Sequence, residues 1–276
     1  MHISAPRTSF LLVIYAIGTA AVPTSGVVEI DLVFPRNETY APMEVMPIVF
    51  AIQNPELARV LNPISIGFTI RDQNDLLGPR GVTDNYDLRW KNFSTNDPYF
   101  VYRGYKKFNT EGSWGMTWKW RWDSGTEDSV AQASRDIQPK PLINNHTVLS
   151  TYFTIKNSAQ GMDLVAASNN KTCPGDFGVA INVTNTLNFT PPAKYWYGGD
   201  KCAVMASSFP TPNLYRVKID SAAASSIYVS ATPGSNWIIT PKPREGGNAA
   251  QQLAVGEIAC LATAFGFLSF ILGRMY

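Results

Sequence analysis

GSWGMTWKWRWDSG, residues 112–125, places Trp114, Met116, Trp118, Trp120 and Trp122 at every second position. Alternate side chains of an extended strand leave opposite faces, so these five line one face. Gly115, Thr117, Lys119 and Arg121 line the other. Two readings of the indole face stand. Turned inward, it fills the core between two sheets and hides several large rings. Turned outward, it forms a carbohydrate platform, because sugar C–H faces pack on aromatic rings and each indole N–H supplies a polar handle. In the second reading Trp114, Trp118, Trp120 and Trp122 are ligand-binding residues.

Working outward from this strand, the same period of two recurs. Val28, Ile30, Leu32 and Phe34 share a face in VVEIDLVF, with Glu29 and Asp31 on the opposite, solvated face. Ile64, Ile66, Phe68 and Ile70 alternate in ISIGFTIR, and Leu149, Phe153 and Ile155 in TVLSTYFTIK. VMPIVFAIQ is apolar throughout and reads as a central strand, while YFVYRGY, DLVAAS, LYRVKI and SIYVSA read as further strands. Pro- and Gly-rich turns separate these runs, and short helix-permissive stretches lie only at PELARVL and EDSVAQASRD. The expected fold is all-β, an antiparallel β-sandwich, immunoglobulin-like or elaborated, over residues 22–236. Two tandem sandwiches, divided near Ser134 to Asn145, are the alternative.

The two ends read as address signals. Arg7 precedes an apolar run from Phe10 to Ala21, and small residues close it, the pattern of a secretory signal peptide over residues 1–21. A short stalk spans 237–248 and a hydrophobic tail 249–276. The uncharged stretch Ile258 to Gly273 would reach about 24 Å as a helix, short of a hydrocarbon core of about 30 Å. With small residues upstream, this is the layout of a glycosylphosphatidylinositol (GPI) signal, its attachment candidates Gly246, Gly247 and Asn248. Arg274 supports the alternative, a single membrane-spanning helix. Either tail makes the membrane a partner.

Two cysteines remain outside the tail, Cys173 and Cys202, and an oxidising compartment pairs them as a disulfide. Six N-glycosylation sequons follow the signal, at Asn37, Asn92, Asn145, Asn170, Asn182 and Asn188. Within the loop between the cysteines, Tyr195, Trp196 and Tyr197 are adjacent, so one strand face cannot take all three. A small satellite core or a ligand-binding rim accommodates them.

Several chemistries are excluded or weakened. The 276 residues carry a net charge of +2, which argues against a nucleic-acid partner. Arg103, Lys106 and Lys107 do interleave with Tyr102, Tyr105 and Phe108, but not on a basic chain. Of two histidines, one is His2 and only His146 lies in the body, which excludes multi-histidine metal sites and most histidine-based triads. No phosphate-cradling glycine loop or nucleophile elbow occurs, and no metal or cofactor is expected. Glu111, Asp123, Glu127 and Asp128 flank the tryptophan strand and are the carboxylates a glycoside hydrolase would pair.

The stretch VVEIDLVFPRNETYAPMEVMPIVFAIQNPELA, together with KTCPGDFGVAINVT and Cys202, resembles a fungal family of secreted, often tail-anchored glycoproteins classed as a domain of unknown function. The resemblance covers about Val27 to Ala231. It implies an extracellular location, on the plasma membrane or in the cell wall, and assigns no catalytic residue. The expected function is therefore that of a non-enzymatic, N-glycosylated cell-surface or wall-associated protein with a structural or recognition role. The alternative is a carbohydrate-binding or carbohydrate-active protein that uses the Trp114 to Trp122 strand, with cell-wall polysaccharide or another surface protein as partner.

Overall fold

The computed structural model describes residues 23–62, 64–89, 91, 93, 96–133, 142–169, 177–188, 200–213 and 216–231. The signal segment, the stalk and the tail lie outside them. The strands are β1 (Gly26–Phe34), β2 (Thr39–Tyr40), β3 (Met46–Gln53), β4 (Ser65–Asp72), β5 (Val82–Asp87), β6 (Tyr99–Tyr105), β7 (Gly112–Ser124), β8 (Ile143–Ile155), β9 (Gly178–Asn188) and β10 (Lys201–Met205). The short helices are α1 (Pro55–Ala58), α2 (Glu127–Ala133), α3 (Leu164–Asn169) and α4 (Ser221–Ser230).

The strands form two sheets of five, ordered β10-β9-β1-β3-β6 and β2-β8-β7-β4-β5. The first sheet draws strands from both sides of residues 134–141, so that stretch does not separate two tandem sandwiches. The second sheet does the same. Nine of these strands pair antiparallel. The exception is β2, which runs parallel to β8 through Thr39 and Tyr40, so the second sheet is mixed rather than purely antiparallel. The chain leaves β1 in one sheet and crosses to the edge of the other within Pro35 to Glu38.

The inward faces meet through aromatic rings. Phe50 of β3 packs edge-on against Trp118 of β7 with centroids 5.2 Å apart, and Tyr86 of β5 packs edge-on against Phe50 at 6.0 Å. Val28, Ile30 and Leu32 of β1 are fully buried on this face, as the alternation requires.

Two stretches expected as strands are helices. DLVAAS forms α3, where Asp163 accepts from the backbone N–H of Val165 and Ala166. SIYVSA lies mostly within α4, which Asp220 caps by accepting from Ala223 at 2.7 Å. An N-capping aspartate followed by an alanine-rich turn outweighs the β-preference of Ile227, Tyr228 and Val229. Of the third expected strand, LYRVKI, the described residues Arg216 to Ile219 pair in neither sheet. Its Val217 and Ile219 are buried, and Ile219 donates its N–H to Ser168 Oγ at 2.9 Å.

These helices form a third layer. α3 contacts β1 and α4 contacts β6, so the outer face of the β10–β6 sheet is covered. Gly104 of β6 allows the closest approach. A Cβ there would stand 2.0 Å from the Ala231 carbonyl oxygen at the end of α4. Among the described residues the outer face of the β4–β7–β8 sheet carries no such layer: Lys119 and Gly115 are half-buried, and Arg71, Thr117, Arg121, Val148 and Tyr152 are exposed.

Candidate functional site

β7 is the centre of its sheet, bonded to β4 on one side and to β8 over thirteen residue pairs on the other. Its indole face is core. Trp114, Trp118, Trp120 and Trp122 are each at most 1% exposed, so of the two readings of this face the inward one fits and the four rings form no platform. The opposing sheet covers Trp118 through Phe50, while Trp114 stacks on Phe153 of the neighbouring β8 and lies edge-on to Phe108 of the β6–β7 connection. Trp120 and Trp122 stack with centroids 4.5 Å apart, and Trp122 Nε1 donates to Met205 Sδ at 3.1 Å. Trp114 and Trp120 bury Nε1 with no acceptor among the described residues. That cost, about 1–3 kcal/mol each, is of the same order as the gain from burying one such side chain, so packing decides their place.

The other face of the same strand is open. Its register sets four cross-strand rows: Arg71, Gly115 and Tyr152; then Thr69, Thr117 and Ser150; then Gly67, Lys119 and Val148; then Ser65, Arg121 and His146. At the first two rows lies a cleft of about 140 Å³, lined in part by Arg71, Gln73, Gly115, Thr117, Ser150 and Tyr152. Gly115 is its floor. A Cβ there would meet Gln73 Nε2 at 2.3 Å and Tyr152 Cε1 at 3.3 Å, so the missing side chain lets an amide and an aromatic ring lie across the strand. Tyr152 is 57% exposed. Small hydroxyls pair beside it, Thr117 with Ser150 at 2.9 Å and Thr69 with Thr83 at 3.3 Å. Arg71 donates to the Leu76 carbonyl and Arg121 to Ser65 Oγ, whereas Lys119 forms no ion pair among the described residues.

The covered sheet holds a feature that the alternation conceals. Alternation assigns Glu29 and Asp31 to solvent, yet they are 4% and 1% exposed. They face outward from β1, and the helical layer takes the place of water. Gln53 Nε2 donates to Asp31 Oδ2 at 2.6 Å and reaches the Asn213 carbonyl at 3.4 Å. Burial holds the Asp31 carboxyl well above the usual carboxylate range, and the neighbouring Glu29 charge pushes the same way. The bond from Gln53 and the more distant Arg36 offset this only partly. A signal for this burial exists in the sequence: β3 is apolar on both faces, so the sheet containing it is covered on both.

A family model described as a domain of unknown function, DUF7136, matches residues 23–235. The chain belongs to that family. No curated protein and no solved structure matches it significantly. The match begins and ends close to the described residues of the chain, so the DUF7136 domain comprises both sheets and the helical layer.

The remaining candidate residues of the DUF7136 domain scatter. Cys202 carries a free thiol, fully buried beside Val130, and Cys173 lies outside the described residues. The expected bridge to Cys173 therefore lies outside what the described residues show. Burial, then the nearby Asp123 charge, push the Cys202 thiol up to about 12, so it stays protonated at neutral pH. Tyr195, Trp196 and Tyr197 also lie outside the described residues, as do Asn92, Asn170, Gly246, Gly247 and Asn248. Asn37 and Asn188 are exposed, and Asn182 is half-buried. Asn145 shares the face of Trp122, and its Nδ2, the atom a glycan would take, donates to Ser124 Oγ at 2.9 Å and to the Ile143 carbonyl at 2.8 Å.

The flanking carboxylates do not converge along the strand. Glu111 and Asp123 stand at opposite ends of β7, about 40 Å apart at the rise of an extended strand, too far for a hydrolytic pair. Glu111 accepts from the Asn157 N–H at 2.7 Å, and Asp123 accepts from Asn144. Glu127 and Asp128 sit exposed in the first turn of α2. Among the described residues no three His, Cys, Asp or Glu side chains gather for a metal. No helix among them is long and apolar enough to cross a membrane. The basic residues of the Tyr102 to Phe108 run are engaged: Arg103 with Asp84, Lys106 with Glu44 at 3.6 Å, and Lys107 with the Pro79 carbonyl.

Proposed function

We propose that the DUF7136 domain is an elaborated β-sandwich that serves as a non-enzymatic recognition module on the outside of a fungal cell. In this reading the signal segment directs it into the secretory pathway, and N-glycans mark its solvated edges. The tail holds it at the plasma membrane or wall, by a GPI anchor or a single helix. The observation that carries a recognition role is the asymmetry of the two sheets. One has its outer face buried beneath α3 and α4. The other leaves a polar face with a 57% exposed Tyr152 free of any covering layer among the described residues.

Location and modification are tested on the protein in its own cells. The expected results are surface labelling of intact cells, a mass loss on endoglycosidase treatment, and release from membranes by phosphatidylinositol-specific phospholipase C. Retention of the intact tail after that enzyme would replace the anchor with a helix. A cytosolic, unglycosylated chain would end the reading.

A further inference from the structure

We infer that the open face of β4, β7 and β8 binds an acidic sugar chain, a polymer or glycan bearing carboxylate groups. This rests on the recognition role proposed above and names its ligand class.

The charge pattern of this face carries the inference. Across the four rows from Tyr152 to His146, these three strands present no aspartate or glutamate outward. They present Arg71, Lys119 and Arg121. The nearest acidic side chain on the adjacent β5 in these rows, Asp87 opposite Ser65, is neutralised by Arg89 at 2.6 Å. Asp84 of β5 turns the other way, to Arg103. The chain as a whole is nearly neutral, so the one-signed stretch of these four rows, bounded by Asp123 one row beyond Arg121, is a local arrangement and not an average.

The remaining chemistry selects a sugar. β7 has its backbone paired on both sides, so an added strand has no edge to join here and a ligand meets side chains only. Those side chains are a ring lying over a glycine floor, the hydroxyls of Thr69, Thr117 and Ser150, and the Gln73 amide. A half-exposed ring packs on sugar C–H faces, and hydroxyls with amides exchange hydrogen bonds with a polyol. The cations then answer carboxylates along the chain. From Gly115 to Arg121 the face runs about 20 Å, enough for several sugar units.

The test uses the full-length protein in detergent and a hexamer of galacturonic acid, read by calorimetry at low salt. Binding is expected, weakening at least tenfold when the salt is raised to about 0.5 M, where screening acts within about 4 Å. Lys119→Glu and Tyr152→Ala are each expected to weaken it about tenfold or more, one contact of each kind being worth about 1–2 kcal/mol. Lys119→Gln, which removes the charge without reversing it, should fall between. Unchanged near-ultraviolet dichroism from the buried tryptophans checks that each variant is folded. Equal binding of a neutral glucose hexamer, or equal affinity in Lys119→Glu, overturns the inference. So does no binding of the acidic hexamer, or binding of phosphatidylserine vesicles in its place. None of these results touches surface location, so failure here leaves the recognition role standing, and a cytosolic chain would leave a measured affinity standing.

Discussion

Tyr105 donates its hydroxyl to Asp84 Oδ2 at 2.6 Å, joining β6, the last strand of one sheet, to β5, the last strand of the other. Arg103 reaches the same oxygen and lies over the Tyr86 ring at 5.3 Å. Two sheets packed by apolar faces alone would be free to slide at this side. A charge-assisted contact between their edge strands sets the alignment.

Loss of this clasp should be measurable and dependent on pH. Burial raises the Asp84 pKa, but the bonds from Tyr105, the Asn85 N–H and Arg103 outweigh it, so its carboxyl ionises below the ordinary range. A depressed folded pKa contributes stability above the unfolded pKa that is lost as pH falls through the folded value. Tyr105→Phe is expected to cost about 1 kcal/mol at pH 7, discounted for partial exposure. In urea titrations the gap between variant and parent should narrow at acid pH. A gap that widens there would contradict the assignment.

Asp31 should behave in the opposite sense. Its folded pKa is raised, so its contribution is present below the unfolded pKa and lost as pH rises through the folded value. Asp31→Asn keeps an acceptor for Gln53 and removes the buried charge. Thermal unfolding should show the variant more stable than the parent at pH 7 to 8, with the difference shrinking toward pH 4. A destabilised variant at neutral pH would mean that the ionised carboxylate has a partner outside the described residues.

Trp118→Ala should destabilise by about 3–5 kcal/mol, the usual cost of emptying a core site of this size. The measurement is the denaturant midpoint. A variant of unchanged stability would show that the inward face does not carry the core.

Gly104→Ala should loosen the third layer without unravelling the sheets. The added carbon would stand 2.0 Å from the Ala231 carbonyl, so α4 must move, at a cost of about 1–3 kcal/mol. Hydrogen exchange should rise in residues 221–230 before it rises in β3. Uniform protection loss would instead join the helical layer and the sheets in a single cooperative unit.

Glycan occupancy should follow side-chain freedom. Asn37 and Asn188 are exposed, whereas Asn145 spends its amide on Ser124 and Ile143. Glycopeptide mass spectrometry of the protein from its own cells is expected to find the first two occupied and Asn145 the least occupied of the three. High occupancy at Asn145 would require that end of β8 to open.

The strand character of β1, β4, β7 and β8 was legible in the sequence, because a period of two in large apolar residues has one economical conformation, and that of β3 from its unbroken apolar run. Helices α3 and α4 were not. DLVAAS and SIYVSA carry too few residues for a period to speak, and their aspartate caps count only once the flanking chain is known to turn.

What the sequence by itself determined is which side chains share a face: the four indoles on one side of β7, and Gly115, Thr117, Lys119 and Arg121 on the other. Only the tertiary structure decided which face meets protein and which meets water. Alternation is a property of one strand, and its two faces are equivalent until a second layer arrives. Phe50 and its neighbours arrived on the indole side, which made that face core and left its reverse open among the described residues. The same rule holds for Glu29 and Asp31, polar residues that alternation assigned to solvent and that α3 and its neighbouring segments enclosed.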